Sequence, residues 1–251
     1  MNDAGDTMPD GGTARTLCVD VGGSHVKAAI VTPDGTVQGE RVRVKTPPDL
    51  VPDGLIGLIA DLAARAGAFA RVSVGFPGAV RAGMILTAPN LGAGTWHRVD
   101  FAGPLADRLG CPVRLANDGT VQGLGAIAGH GLECAITLGT GMGFALFEDG
   151  RPGPHLELGQ HIAWKKRSYD HYVGQAALVD VGPKHWQKRV ARVIERLRVL
   201  VNFDTLYIGG GNARLIGFTL PMDTHVVSND TGISGGVRLW DGVGADAVVT
   251  G

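Results

Sequence analysis

Two stretches of the chain join a strand-like apolar run to a glycine-rich turn and a second apolar run, an arrangement that can present several backbone N–H groups to one anion. The first is Asp20-Val21-Gly22-Gly23-Ser24, with a hydroxyl at Ser24 and a cation at Lys27. The second is Leu138-Gly139-Thr140-Gly141-Met142-Gly143. Either turn alone reads as an ordinary hairpin. Two of one type, each followed by a strand, predict loops that could hold a chain of phosphates from both sides of a cleft. Asp118 follows the apolar run Val113–Ala116 and precedes a small-residue helix, a position that projects a carboxylate into a cleft. The other reading of Asp118 is a helix N-cap, a position that Asp favours.

Other nucleotide and hydrolase signatures are missing. The chain has no G-x-x-x-x-G-K-[ST], no G-x-G-x-x-G opening a helix after a first strand, and no H-E-x-x-H. G-x-S-x-G occurs once, as Gly232-Ile233-Ser234-Gly235-Gly236, but no His follows it. A nucleophile elbow needs an acid and then a His further along, so this match reads as chance in a Gly-rich segment.

The elements that must position these residues are an alternation of strands and helices. Leu17–Val21 and Ala28–Val31 flank the first turn, Val37–Lys45 alternates as a half-exposed strand, and Arg71–Phe76 is a further strand. Leu55–Phe69 spaces its apolar residues for an amphipathic helix, Leu105–Leu109 for a short one, and Thr120–Ala128 for a small-residue helix that can pack closely. Cys134–Leu138 and Gly143–Phe147 form a second hairpin-like pair. Lys184–Val201 is the clearest helix, with Trp186, Val190, Val193, Ile194, Leu197 and Val201 on one face. Strand Leu206–Ile208 runs into the turn Gly209-Gly210-Gly211, and a Gly-rich tail ends in Val248-Val249. The weak echo between the two glycine turns suggests two related lobes. Residues 1–14 read as a disordered tail, 15–115 as a small lobe and 116–251 as a larger one whose last helix can return to the small lobe.

Composition narrows the class. The 251 residues are 44% hydrophobic and 19% charged, enough for a core, with a formal net charge of -1 that offers no general attraction to nucleic acid or anionic membrane. No apolar run approaches a membrane span. The polar start lacks the pattern of a signal peptide. Cys18, Cys111 and Cys134 are too scattered for a disulfide framework or a metal pair, which points to the cytoplasm. The 40 glycines have no collagen period and cluster at the ends of apolar runs, where a backbone must turn tightly or approach a ligand.

Taken in order, Asp20-Val-Gly-Gly-Ser-His-Val-Lys27, Ala88-Pro-Asn-Leu91, Leu115-Ala-Asn-Asp118, Leu138-Gly-Thr-Gly141, Glu157-Leu-Gly-Gln160 and Ile208-Gly-Gly-Gly211 resemble the motifs of the ROK sugar kinases, and most of all the polyphosphate glucokinase subgroup. The resemblance spans roughly Leu17 to Leu239. It implies an α/β, actin/hexokinase-like (ribonuclease H-like) two-lobe ATPase fold with a central cleft. It also implies transfer of a phosphoryl group from polyphosphate or ATP to the 6-hydroxyl of glucose or a related hexose, with Mg²⁺. By the same resemblance Asp118 is the catalytic base, while Asn90, Asn117, Glu157, Gln160 and His161 bind the sugar. Gly22, Gly23, Ser24, Lys27, Gly139, Thr140 and Gly141 would hold phosphate, Asp20 would order the magnesium shell, and Gly209, Gly210 and Gly211 would take the nucleotide or a distal phosphate. Plainer readings exist: Asn117 and Asn90 as turn formers, Asp20 as a strand-end Asp bonding its own turn, and Gly209–Gly211 as a helix entry. For Glu157 a plain surface role is disfavoured by its apolar neighbours Leu156 and Leu158.

The chain departs from the family pattern in places. Gln160 stands where the family has His; Gln can donate and accept a hydrogen bond but cannot take a charge, and His161 is the neighbour that could compensate. The cysteine-rich zinc site of most ROK proteins has no counterpart in 162–172, as in the polyphosphate glucokinase subgroup, so no zinc is expected. The segment after Gly211 is shorter than expected, which weakens an adenine pocket. Lys184, Lys188, Arg192 and Arg196 recur at i, i+4 spacing as a basic stripe, either a solvated helix face or a track for a polyanion such as polyphosphate. The segment before Leu17 is too short for the helix-turn-helix of ROK repressors, so no nucleic-acid partner is expected. A homodimer is expected. The alternatives to a glucokinase are a catalytically impaired sugar sensor and a kinase for mannose or an amino sugar.

Overall fold

A computed structural model of the chain describes residues 14–89, 91, 94–228, 231–241 and 248–249. The expected tail, apart from Ala14, and the candidate sugar ligand Asn90 lie outside the described residues.

The chain opens with the antiparallel strands β1 (Thr16–Val21), β2 (His25–Val31) and β3 (Val37–Lys45), and α1 (Pro52–Ala66) then leads to β4 (Arg71–Phe76), parallel to β1. The short strands β5 (Val80–Arg81), β6 (Met84–Ile85) and β7 (Val99–Asp100) form a small sheet of their own. They are followed by α2 (Ala102–Leu109), by β8 (Val113–Asn117), parallel to β4, and directly by α3 (Asp118–Leu124). The second half begins with the antiparallel pair β9 (Leu132–Leu138) and β10 (Met142–Glu148), extended by β11 (Arg151–Pro152). A 3₁₀ turn at Leu158–Gln160, the hairpin β12 (Ile162–Trp164) and β13 (Arg167–Ser168), and helices α4 (Tyr169–Val173) and α5 (Gln175–Val201) follow. Then come β14 (Thr205–Gly209), β15 (Thr224–Val226), α6 (Thr231–Arg238) and β16 (Val248–Val249).

The two main sheets repeat one plan. In the first the order is β3-β2-β1-β4-β8, with β16 added antiparallel at the edge; in the second it is β11-β10-β9-β14-β15. In each, an antiparallel meander is extended by two parallel strands. The echo between the two glycine turns is thus matched by topology: each turn joins the first two strands of its sheet.

Burial follows from what covers each face. Leu17, Val19 and Val21 of β1 pack with Leu55, Ile59 and Leu62 of α1, while Cys18 on the opposite face packs with Ile233 and Val237 of α6. A strand covered on both sides needs apolar residues throughout, which is why β1 reads as a continuous run. In the second sheet, Cys134, Ile136 and Ile208 pack with Trp186, Val190, Val193 and Leu197 of α5. Between the sheets, Val121 and Leu124 of α3 meet Phe147 and Tyr207. Burial pushes the Cys18 and Cys134 thiols up to about 12, so both are inert packing groups.

Some boundaries differ from the sequence reading. α1 starts at Pro52, which suits a first helical position, and stops at Ala66, because Gly67 takes φ 111°. The expected helix Thr120–Ala128 is instead Asp118–Leu124, ending at Gly125. The helix expected from Lys184 continues back to Gln175 across a kink at Gly182, whose φ of 73° and ψ of 163° are not helical; Pro183 opens the second segment. Gly232–Gly236 lies within α6, where a Cβ on Gly235 would come within 2.0 Å of the Val121 carbonyl oxygen of α3. Gly235 thus serves helix packing, Gly236 packs on Cys18 and Ser73 of the first sheet, and Ser234 is on no strand-to-helix elbow. Among the described residues no helix is long and apolar enough to cross a membrane.

Candidate active site

Asp118 is the first residue of α3, and the residue before it makes the cap. Asn117 Oδ1 accepts from the N–H groups of Gly119 at 2.9 Å and Thr120 at 3.3 Å, while its Nδ2 donates to the Gly78 carbonyl at 3.1 Å. The cap reading of Asp118 is therefore replaced by Asn117 in that role. The Asp118 carboxylate, which accepts from the Gly119 N–H at 2.8 Å, keeps an edge toward the cleft. Burial pushes its pKa up to about 6, helped by the negative charges of Asp20 and Glu157 and opposed by the Gly119 N–H and by His155.

Two cavities bear on this carboxylate. A smaller one of about 210 Å³ is lined by Asp20, Lys27, Asp118, Gln122, Gly210 and Gly211, among others. A larger one of about 490 Å³ is lined by 86–89, Gly94, Trp96, His97, Glu157 and Gln160. Asp118 lines the first and feels the charge of Glu157 in the second.

Residues flanking the first glycine turn and the Gly210-Gly211 turn line the smaller cavity. Asp20 and Lys27 are cross-strand partners in β1 and β2, and Lys27 Nζ donates to Asp20 Oδ2 at 3.1 Å. The Gly22 N–H is spent on the His25 carbonyl at 3.0 Å, while Gly23 and Ser24 are exposed. The Gly139 N–H is likewise spent inside its turn, on the Gly141 carbonyl at 3.0 Å, and Thr140 is exposed. The Gly209–Gly211 turn docks onto this second turn: the Asn212 N–H donates to the Leu138 carbonyl at 2.9 Å, and Asn212 Nδ2 to that of Gly139 at 3.3 Å. Gly210, at φ 88°, sits where a Cβ would be 2.3 Å from the Leu138 oxygen, so only glycine allows this approach. Of the expected phosphate residues, Lys27, Gly210 and Gly211 line the cavity, whereas Gly22, Gly23, Ser24, Gly139, Thr140, Gly141 and Gly209 are not among its lining residues.

In the larger cavity, Glu157 Oε1 lies 3.0 Å from His155 Nε2. Glu157 is itself exposed, as is Leu156 at 49%, so its apolar neighbours do not take it from the surface; what sets it apart is that it lines the cavity and lies against His155. Gln160 Nε2 donates to Asp170 Oδ2 at 2.6 Å. His161 is exposed and lines neither cavity. Sequence reasoning did not single out Trp96, His97, His155, Gln122 or Asp170. Trp96 had the clearest signal, a lone large aromatic in a Gly-rich loop: it is 2% exposed, donates from Nε1 to the Leu50 carbonyl at 3.0 Å and packs on Phe76 and Phe101.

The basic stripe is partly engaged. Arg196 lies 4.8 Å and Arg192 5.9 Å from the Trp164 ring, and Arg192 Nη1 donates to the Tyr172 hydroxyl at 3.4 Å. Lys184 and Lys188 remain exposed.

Residues 16–163 match the ROK family, and the chain belongs to it. Its fold is the actin/hexokinase type, and with that fold and a half-buried carboxylate at the cleft it is a hexokinase-type phosphotransferase, a sugar kinase. A polyphosphate glucokinase of Mycobacterium leprae is 29% identical over 256 residues, 91% of this chain and 77% of the relative. That of Mycobacterium tuberculosis H37Rv is 29% identical over 234 residues, 86% of this chain and 88% of the relative. The inorganic polyphosphate/ATP-glucomannokinase of an Arthrobacter species superposes with a TM-score of 0.80 at 27% identity, over 91% of this chain and 98% of its own. A ROK family glucokinase from Streptomyces griseus, solved with glucose and AMPPNP, shares the fold with a TM-score of 0.72 at 20% identity, over 90% and 98% of the two chains.

Proposed function

We propose that this kinase transfers a phosphoryl group from polyphosphate or ATP to the 6-hydroxyl of glucose or a close relative. The observation that carries the reading is Asp118, a carboxylate raised to about 6 that lines the smaller cavity and feels the charge of Glu157 in the larger one. A base works best with a pKa near the working pH, where it is ionised yet holds a proton well. At neutral pH Asp118 is mostly ionised and takes the proton of the attacking hydroxyl. The larger cavity has the volume of a small-molecule site, and Glu157 and Gln160 offer polar groups to ring hydroxyls. Asn117, its amide committed to the cap and to Gly78, acts by fixing Asp118.

The two sheets are read as two lobes, with the phosphates held between the glycine turns. Lys27 neutralises phosphate charge by exchanging Asp20 for a phosphate oxygen. Among the described residues no group of three or more His, Cys, Asp or Glu side chains could hold a metal ion by itself. Asp20 fits the alternative, in which Mg²⁺ binds through one carboxylate together with phosphate oxygens and water. When bound, it would spread the charge that develops on the transferred group. The stripe Lys184, Lys188, Arg192 and Arg196, continued by the exposed Lys165, Lys166 and Arg167 of the β12–β13 turn, offers cations to a long polyanion.

The test is a coupled assay over a panel of hexoses, run separately with Mg-ATP and Mg-polyphosphate. Turnover names acceptor and donor. Sugar-dependent thermal stabilisation without turnover for any pair would overturn the kinase reading in favour of a sugar sensor.

A further inference from the structure

Asp170 joins parts of the site that are distant in sequence. It stands in the first turn of α4, whose start is capped by Ser168 Oγ accepting from the His171 N–H at 3.4 Å. Its Oδ1 accepts from the Met142 N–H at 2.7 Å, where the second glycine turn enters β10, and its Oδ2 accepts from Gln160 Nε2 at 2.6 Å. Both elements carry glycine where the carboxylate enters: a Cβ on Gly141 would lie 2.4 Å from Oδ1, and one on Gly159 would lie 2.6 Å from it. Any side chain at either position would push the carboxylate out.

A carboxylate accepting on both oxygens accepts only amide nitrogen from Gln160, so one of the two amide orientations is excluded. The nitrogen is held by Asp170, and Oε1 has no hydrogen-bond partner among the described residues. Gln160 also lines the larger cavity.

We propose that Asp170 is a positioning residue that locks Gln160 with its amide oxygen toward the sugar, and ties that contact to the backbone of the second glycine turn. The proposal rests on the larger cavity being the sugar site. There Gln160 selects for a ring hydroxyl that can donate, and it rejects a hexose bearing a fluorine or a methoxy group at the same carbon. Because one carboxylate serves both elements, the orientation of Gln160 depends on the placement of the second glycine turn.

A swap of polarity tests this. Asp170→Asn keeps an oxygen on the Met142 N–H by turning its amide nitrogen to Gln160, whose amide must then flip to offer Oε1 and present its NH2 to the sugar; this reversal should raise the sugar KM roughly tenfold, the upper end for one neutral hydrogen bond. Gln160→Glu sets two carboxylates against each other and should raise the sugar KM by a similar factor. In the double variant the polarity is exchanged. The amide nitrogen introduced at position 170 donates to the carboxylate introduced at position 160, and the amide oxygen accepts from the Met142 N–H. The second carboxylate oxygen at position 160 still faces the sugar. The sugar KM should return to within about threefold of wild type, a coupling expected only of side chains in contact. Losses that simply multiply would overturn the proposal.

The link is also readable without substrate, by amide exchange in the free protein. Met142 should exchange faster in Asp170→Ala and at the wild-type rate in Gln160→Ala; Met142 still protected in Asp170→Ala refutes the link. An exchange response in a protein that binds no hexose refutes the sugar reading and the selectivity together. In a panel of monodeoxyfluoro hexoses, one position should lose its KM advantage in wild type and lose little more in Gln160→Ala. A flat panel overturns the selectivity.

Discussion

Replacing Asp118 by Asn should slow turnover by about 10²–10⁴ and yet stabilise the fold. Asn keeps the oxygen that accepts from the Gly119 N–H, and the cap on α3 belongs to Asn117, so the local hydrogen bonds survive. What disappears is a charge held in a desolvated place beside Asp20 and Glu157. Its pKa rises from 3.8 in the reference state to about 6 in the fold; at about 1.4 kcal/mol per pH unit, the ionised carboxylate costs the fold about 3 kcal/mol. Water in the cleft screens the contributions of Asp20 and Glu157, so about 1–3 kcal/mol is the working range. The sign follows from linkage. Between about pH 4 and pH 6 the folded protein holds more protons than the unfolded chain, so stability falls as pH rises through that window, and the full cost is present above it. Urea unfolding of wild type and Asp118→Asn at pH 7.5 and pH 5.0 measures this. The variant should be more stable at pH 7.5, with a gap about half as large at pH 5.0. A variant that is less stable than wild type at pH 7.5, or a gap that ignores pH, would refute the reasoning.

Further outcomes are expected from the same geometry. The kcat/KM for the sugar should fall with acidity along a limb centred near pH 6 as Asp118 gains its proton, and initial rates from pH 5 to 8 will show whether that limb exists. Lys27→Met should raise the donor KM by roughly tenfold, the worth of one charge-assisted hydrogen bond, with the sugar KM unchanged. Neutralising Lys188 and Arg192 together should weaken polyphosphate binding and flatten its salt dependence by roughly one unit of slope for each phosphate no longer neutralised; unchanged affinity and slope would remove the stripe from the donor site. Gly210→Ala should destabilise by at least about 2 kcal/mol, since it adds a left-handed penalty to a clash with Leu138, and thermal melts will read it.

Much of the site was legible because its residues lie at the ends of regular elements. Asp20, Lys27 and Asp118 flank strands whose apolar runs are unmistakable, and the repeated hairpin-and-glycine pattern matched the repeated sheet order. Boundaries failed where one backbone angle decides the matter, as at Gly67 and Gly182. Asp170 was not legible: an acid in the first turn of a helix is ordinary there. Its role depends on folding Met142, 28 residues away, and Gln160, 10 residues away, onto one carboxylate. His97 and His155 were invisible for the same reason, since His97 gains its place only when it lines one cavity with Glu157 and Gln160, and His155 only through its contact with Glu157.

The most direct single measurement is product formation from glucose and each donor, followed by phosphorus NMR for wild type and Asp118→Asn under identical conditions. Wild type should yield hexose 6-phosphate, with the variant slower by about 10²–10⁴, the range for removing a general base. A variant that works at the wild-type rate, or a product phosphorylated at another hydroxyl, would contradict the role assigned to Asp118.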